Sequence, residues 1–329
     1  MRRIAAAFAI ITALVCGAQT QAQTNAQTNA QTFPNHVIRL IVPFPPGGPA
    51  DVMARLASQS MTEILGQQVI VDNRPGGGST LAGREVARAM PDGYTLLLAS
   101  AATTAIGPAL YKNIGYDPAT SFVPVAYFSS TPYVMVTGPK TPLRSVRDVI
   151  AYAKANPGKL NVGVPNGAPP HMIAAWFRAK TAADIVIIPY KGAANLITDM
   201  IGGQIELGFE TTSVTLSHLR DGSMRPLGVA TAQRLPELPE VPTLIESGVP
   251  DFVAGSWIGI MAPAGTPAEV VDKLNAAIND GLKTPKLQAR LRQLAAEARP
   301  GTPQDFADFI KEEDPKWIAM AKLSGIKPE

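Results

Sequence analysis

Cysteine, histidine and charge are all scarce in this 329-residue chain. The one cysteine, Cys16, lies inside an N-terminal apolar stretch. Once that stretch is removed no thiol remains, which excludes a disulfide framework, a thiolate metal site and a cysteine nucleophile. The three histidines, His36, His171 and His218, form no His-Glu-x-x-His zinc pattern. No Gly-x-Ser-x-Gly elbow is present for a hydrolase serine. The run Gly76-Gly77-Gly78-Ser79-Thr80 lacks the Lys-Ser/Thr of a nucleotide-binding loop. It also fails the dinucleotide fingerprint, because Leu81 stands where the third glycine belongs, so it reads as a tight turn entering a helix. Charged residues are 17% of the chain and the formal net charge is +3, which gives no electrostatic case for a nucleic-acid partner.

The N-terminus is patterned for export. Arg2-Arg3 precedes an apolar run from Ile4 to about Ala18, too short to span a bilayer comfortably, and small residues follow. Residues 1–22 are therefore expected to be a secretory signal peptide, cleaved after Ala18 or Ala22, and the protein to be periplasmic. Val15 before Cys16 is larger than lipoprotein processing usually accepts. Removing Arg2 and Arg3 takes the charge from +3 to +1. The polar repeat Thr24-Asn25-Ala26-Gln27 and Thr28-Asn29-Ala30-Gln31 has no apolar face to bury, so residues 23–32 are expected to be a disordered tether. No later segment approaches a membrane span. The remaining chain of about 300 residues has room for two domains.

Strands and helices alternate along the middle of the chain. Val37–Val42, Val69–Val71, Tyr94–Leu98, Tyr133–Val136, Leu160–Val164, Ile185–Ile188, Leu227–Ala230 and Ile258–Met261 are rich in β-branched and apolar residues and read as strands. Helical patterns between most of them predict an α/β fold with largely parallel sheets. Ser145-Val146-Arg147-Asp148, Thr266-Pro267-Ala268-Glu269 and Thr302-Pro303-Gln304-Asp305 read as capped helix starts. Asn156-Pro157-Gly158 reads as a helix stop. Helices from about Pro267 to Ser324 close the chain, the last expected to break at Pro315.

Two loops stand out. Phe44-Pro45-Pro46-Gly47-Gly48-Pro49-Ala50-Asp51 lies between the Val37–Val42 strand and a helical pattern beginning near Val52. Pro165-Asn166-Gly167-Ala168-Pro169-Pro170-His171 repeats the arrangement after Leu160–Val164. Each is a strand, a Gly/Pro turn and a helix N-terminus, whose unpaired N–H groups and partial positive charge suit a carboxylate. Asp51 suits the first turn of its helix or a ligand contact, and His171 a structural role or a contact. Two such turns suggest a cleft between domains.

Taken in order, further pieces make a family resemblance specific. They are Asp72–Gly78, Asp92–Leu97, Asn156–Asn161, Pro189-Tyr190-Lys191-Gly192, Arg234-Leu235-Pro236, Val241-Pro242-Thr243 with Glu246, and Ala262–Pro267. From about Val37 to Lys327 the chain resembles the periplasmic solute receptors of tripartite tricarboxylate transporters, the Bug family. The resemblance implies a two-domain periplasmic-binding-protein (Venus-flytrap) fold. Domain I would be 33–138 plus 254–329 and domain II 139–253, with a hinge near Thr137–Lys140 and Phe252–Trp257. It implies no enzyme activity and no cofactor. The ligand would be a small organic carboxylate, held largely by backbone amides, and the partner a set of integral-membrane transporter subunits served by a monomer.

The implied ligand-binding residues are Phe44, Gly47, Gly48, Pro49, Ala50 and Asp51 on the first loop, and Asn166, Gly167, Ala168 and His171 on the second. Ser100, Ala101 and Ala102 match a further cleft loop. Glu210, after a strand at Ile205–Phe209, would either face the cleft and select a hydroxyl, an amino group or water, or be a solvated strand end. Two departures matter: the family commonly has Ser or Thr near Pro49-Ala50, and Pro165–Pro170 is poor in hydroxyls. Fewer hydroxyls favour a dicarboxylate with an apolar spacer, or an aromatic acid, over an amino acid or citrate. A sensor of the same fold serving a kinase is the alternative, and an enzyme of unknown type a third.

Overall fold

The computed structural model describes residues 33–326, so the expected signal peptide and tether lie outside the described residues. Strand β1 (Ile38–Val42) pairs in parallel with β2 (Val69–Asn73) and β3 (Thr95–Ala99). Helix α1 (Pro49–Leu65) connects β1 to β2. Its Met53, Ala54, Ala57 and Met61 recur at three- and four-residue steps and are buried, so one stripe covers the sheet. Gly66, in the left-handed region, ends it. Helix α2 (Thr80–Ala87) leads to β3, which runs into a π-helical turn (Ala102–Ile106) and the short α3 (Gly107–Leu110).

The 16-residue strand β4 (Phe122–Thr137) joins the two halves of the sheet. Up to Pro132 it pairs antiparallel with β9 (Gly255–Pro263); from Tyr133 it pairs antiparallel with β7 (Leu207–Thr211). β8 (Arg225–Val229) pairs with the same end of β4. The sequence pattern predicts only the Tyr133–Val136 part of this strand. Pro124 and Pro132 remove ladder donors, and Ser129-Ser130-Thr131 hides the apolar pattern; β4 tolerates this through register shifts after Pro124 and Tyr127. The pairing partner of β4 therefore changes between Pro132 and Tyr133.

In the second half, helix α4 (Val146–Ala155) leads to β5 (Leu160–Pro165), α5 (Pro169–Thr181), β6 (Ile185–Tyr190), α6 (Ala193–Gly202), β7 and α7 (Thr212–Arg220). β5 pairs in parallel with β6 and β7. The full order is β2-β1-β3-β9-β4-β7-β5-β6. Parallel pairing thus holds towards both ends, while β9 and β4 make the middle antiparallel, because these strands cross between halves without a helical return.

Helices α8 (Ala268–Lys283) and α9 (Pro285–Gln293), the short β10 (Glu297–Ala298) and α10 (Pro303–Leu323) complete the chain. α8 packs on α1 and β4, whereas α10 packs on α5 as well as β4, so it touches both halves. One apolar cluster accordingly runs from Ile41 and Leu97 through Trp257 to Phe177, Phe209, Phe252 and Trp317.

Two expected caps form. Ser145 Oγ accepts from Asp148 N at 3.1 Å, and Thr302 with Asp305 makes a reciprocal box. Thr266 does not cap: its hydroxyl donates to the Pro263 carbonyl, and α8 starts one residue later. Nor does Pro315 break α10. Pro315 is exposed, where water can reach the freed carbonyl, and buried Phe306, Trp317, Met320 and Ala321 anchor the helix on both sides. No helix among the described residues is long and apolar enough to cross a membrane.

Candidate functional site

The ends of β1, β3, β5 and β6 and the turns that follow them surround a cavity of about 720 Å³. That is within the roughly 300–1,000 Å³ of small-molecule sites. Strands β4, β7 and β9 supply the rest of the wall through Tyr133, Glu210, Thr211, Ser256 and Ile258.

The first loop is held from behind. Gly47 takes φ +79°, a conformation that favours glycine. Its N–H donates to Asp51 Oδ2 at 3.0 Å. Arg55 donates to both Asp51 oxygens, Nε to Oδ2 at 2.8 Å and Nη2 to Oδ1 at 3.1 Å. Asn73 Nδ2 donates to Asp51 Oδ1 and to the Phe44 carbonyl, each at 3.0 Å. Burial pushes the Asp51 carboxyl up, but the hydrogen bonds from Arg55, Gly47 and Asn73 outweigh it and hold it below the usual carboxylate range. Asp51 is therefore an internal brace, buried outside the cavity lining. Gly48, at the N-cap of α1, has no side chain to cap the helix, and Pro49 follows it.

The second loop is built alike. The N-cap of α5 is Ala168, again without a side-chain cap. Asn166 N donates to the Tyr190 carbonyl at 3.0 Å, tying this loop to the end of β6. His171 is buried and Nδ1 accepts, at 3.4 Å, from Gly167 N. Burial, aided by the Arg178 charge, pushes its pKa down to about 4, so the ring is neutral. It supports the loop and does not line the cavity.

A third helix N-terminus joins these two. Tyr190-Lys191-Gly192 leads into α6, whose N-cap Gly192 also lacks a side-chain cap. Tyr190 Oη donates to Asp199 Oδ2 at 2.9 Å, and burial with that pairing raises its pKa to about 12. The N-termini of α1, α5 and α6 thus all reach one cavity, each a partial positive charge with backbone donors.

Of the residues expected at the site, Phe44, Gly48, Pro49, Ala50, Ser100, Asn166, Gly167, Ala168 and Glu210 line the cavity; Asp51, Ala101, Ala102 and His171 are buried outside the lining, and Gly47 is exposed outside it. The glycine run read as a plain turn also lines it, from Pro75 to Ser79. Gly76, Gly77, Gly78 and Ser79 all have positive φ, and a side chain on Gly78 would strike the Tyr111 ring. Among the described residues, Lys191 and Glu210 are the only lining residues that are lysine, arginine, aspartate or glutamate. Glu210 is not a solvated strand end: it is 0% exposed, within β7. A second groove of about 710 Å³, lined by Tyr127, Trp257, Arg299, Glu313 and parts of α9 and β10, has no helix N-terminus in its wall. Among the described residues no group of three or more His, Cys, Asp or Glu could hold a metal.

Fold and cavity together define a solute-binding receptor of the periplasmic-binding-protein type. Residues 53–326 match the tripartite tricarboxylate transporter family receptor, TctC, and the chain belongs to that family. It is 37% identical over 298 residues to protein BugT of Bordetella pertussis, covering 90% of this chain and 91% of that one. It superposes on the R. palustris Rpa4515 structure with adipate at a TM-score of 0.86 and 35% identity, covering 90% of this chain and all of that one. MatC of Rhodopseudomonas palustris with bound malate gives a TM-score of 0.83 at 31% identity, covering 88% and 100%.

Proposed function

We propose that this protein is a periplasmic receptor that captures a small organic acid and delivers it to a tripartite tricarboxylate-type membrane transporter. The observation that carries the reading is the convergence of three uncapped helix N-termini on one cavity. Such an arrangement neutralises a carboxylate with backbone dipoles and needs no arginine. The α1 end and the α5 and α6 ends come from opposite halves of the sheet, so each half would take one part of the ligand. Between them the wall is largely proline, glycine and aromatic: Phe44, Pro45, Pro46, Pro75, Pro165 and Tyr133. An apolar spacer suits that wall, and a dicarboxylate with such a spacer, or an aromatic acid, is the favoured class. The neighbours solved with adipate and malate support a dicarboxylate.

The two halves would act as lobes, 33–132 with 255–326 and 133–254, hinged where β4 and β9 cross. Ligand would shift the population towards a closed form in which both lobes touch it. The test is a thermal-shift panel of C4 to C8 dicarboxylates, citrate, acidic amino acids and aromatic acids. A ligand at one hundred times its Kd should stabilise by about 2.7 kcal/mol. That is a shift of a few degrees for a chain of this size. A clear shift with one class of acid supports the reading; no shift with any acid, from protein shown by native mass spectrometry to be ligand-free, overturns it.

A further inference from the structure

Among the described residues, the cavity wall carries one carboxyl group, that of Glu210. Glu210 stands on β7 opposite Val134 of β4, between the cavity and the apolar core of the second half. It is 0% exposed, and neither carboxyl oxygen has a hydrogen-bonding partner. The charge and titratable groups around it offer no compensation. Tyr133 on β4 is itself buried, with the Ser256 hydroxyl of β9 beside it, and burial raises its pKa. His171 at the start of α5 is neutral. The hydroxyl of Tyr190 on β6 is committed to Asp199, and Lys191 is exposed.

Resting on the reading of the cavity as a carboxylate site, we propose that Glu210 is its specificity-determining residue: as a neutral acid it lets the wall accept an anion, and as a carboxylate it repels one, so carboxylate binding is coupled to one proton. A buried, unpaired carboxylate keeps its proton because water cannot solvate the charge. Burial pushes the Glu210 pKa up to about 8, opposed only by the nearby Thr211 amide, so near neutral pH the group is mostly the acid. The same pattern, a carboxylic acid kept neutral beside a site for negative charge, is known in enzyme oxyanion holes. The arrangement selects fully anionic ligands while Glu210 is protonated and disfavours them once it ionises.

The experiment is isothermal titration calorimetry with adipate, or with the tightest dicarboxylate of the panel if adipate does not bind, at about pH 7 and about pH 9, where the ligand is a dianion throughout. With a free-state pKa of about 8, the wild-type Kd should weaken about tenfold between these values. Glu210→Gln, which mimics the neutral acid, should bind within about threefold of wild type near pH 7 and lose the pH dependence. Circular dichroism and thermal unfolding would establish that the variant is folded. A wild-type Kd that does not change, a Kd that tightens with rising pH, or a Glu210→Gln variant with the wild-type slope would overturn the inference while leaving the receptor reading intact. No binding of any acid to the wild type would overturn both.

Discussion

Asp51 and Arg55 sit one turn apart on α1 as a bidentate pair, the carboxyl buried and the guanidinium largely exposed. The pair is strong because the acid also takes the Gly47 amide and the Asn73 side chain, so four donors converge on one carboxylate. It fixes the shape of a loop that contributes no charged side chain to the cavity.

Asp51→Ala should therefore cost about 1–3 kcal/mol of stability, because it removes the acceptor of four hydrogen bonds that brace the loop. It should also weaken ligand binding by loosening Phe44–Gly48. Since the folded pKa lies below the ordinary value of 3.8, the stabilising share of Asp51 is present above that value and is lost as pH falls through the folded one. Urea unfolding of wild type and Asp51→Asn should give curves that differ at neutral pH and converge in acid.

Gly48 offers a cleaner probe of the cavity itself. Its φ of −86° is ordinary, and a Cβ there would meet only the Pro45 carbonyl, at 3.7 Å. Gly48→Leu should fold with a stability change within about 1 kcal/mol. It should raise Kd at least about tenfold by filling the space at the α1 N-terminus. Gly47→Leu is the contrast: at φ +79° it should lose about 1–2 kcal/mol through backbone strain. Calorimetry on the two variants separates blocked binding from lost fold.

Glu210 also marks global stability. Its folded pKa of about 8 exceeds its ordinary value of 4.5, so its contribution is fully present below pH 4.5 and is lost as pH rises to about 8. The scale is about 1.4 kcal/mol per pKa unit, several kcal/mol in all. The difference in unfolding free energy between Glu210→Gln and wild type should grow in favour of the variant across that window and level off above it. A difference independent of pH would mean that the carboxyl is not held neutral.

Pro315 removes one helical hydrogen bond from α10 on its exposed side. Pro315→Ala restores the donor and a good helix former, against a modest gain in unfolded-chain freedom. The expected result is a stabilisation of about 1–2 kcal/mol, read as a raised Tm with ligand affinity unchanged.

The residues differ in how far their surroundings were legible. β1 and β6 declared themselves because each is a short run rich in β-branched residues, β5 because its apolar residues alternate at Leu160, Val162 and Val164, and both Gly/Pro loops because glycine and proline between a strand and a helix leave few backbone paths. The first half of β4 was hidden by Pro124 and Pro132, whose accommodation depends on bulges that only the partner strand β9 makes possible. The Pro75–Ser79 turn and the Tyr190–Asn195 helix start were visible as motifs, but their facing the same space depends on three strands meeting. Glu210 was the hardest: an acid at a strand end reads as exposed, and only the packing of β4 and β7 makes it buried. The alternation in Leu207-Gly208-Phe209-Glu210-Thr211, with Phe209 on the opposite face, was the one available hint.

β9 lies between β3 and β4 in the sheet, yet it is made near the end of the chain, at Gly255–Pro263. Until it is inserted, β3 and the first part of β4 are each left with an open, apolar edge. A chain stopped before Gly255 would carry nearly every other strand and still lack the one that joins them, so shortened forms should aggregate instead of folding to a smaller domain. Closure over so long a sequence separation is also intrinsically slow. Insertion of β9 should therefore come late in folding, at a point set by where one strand falls in the order of synthesis.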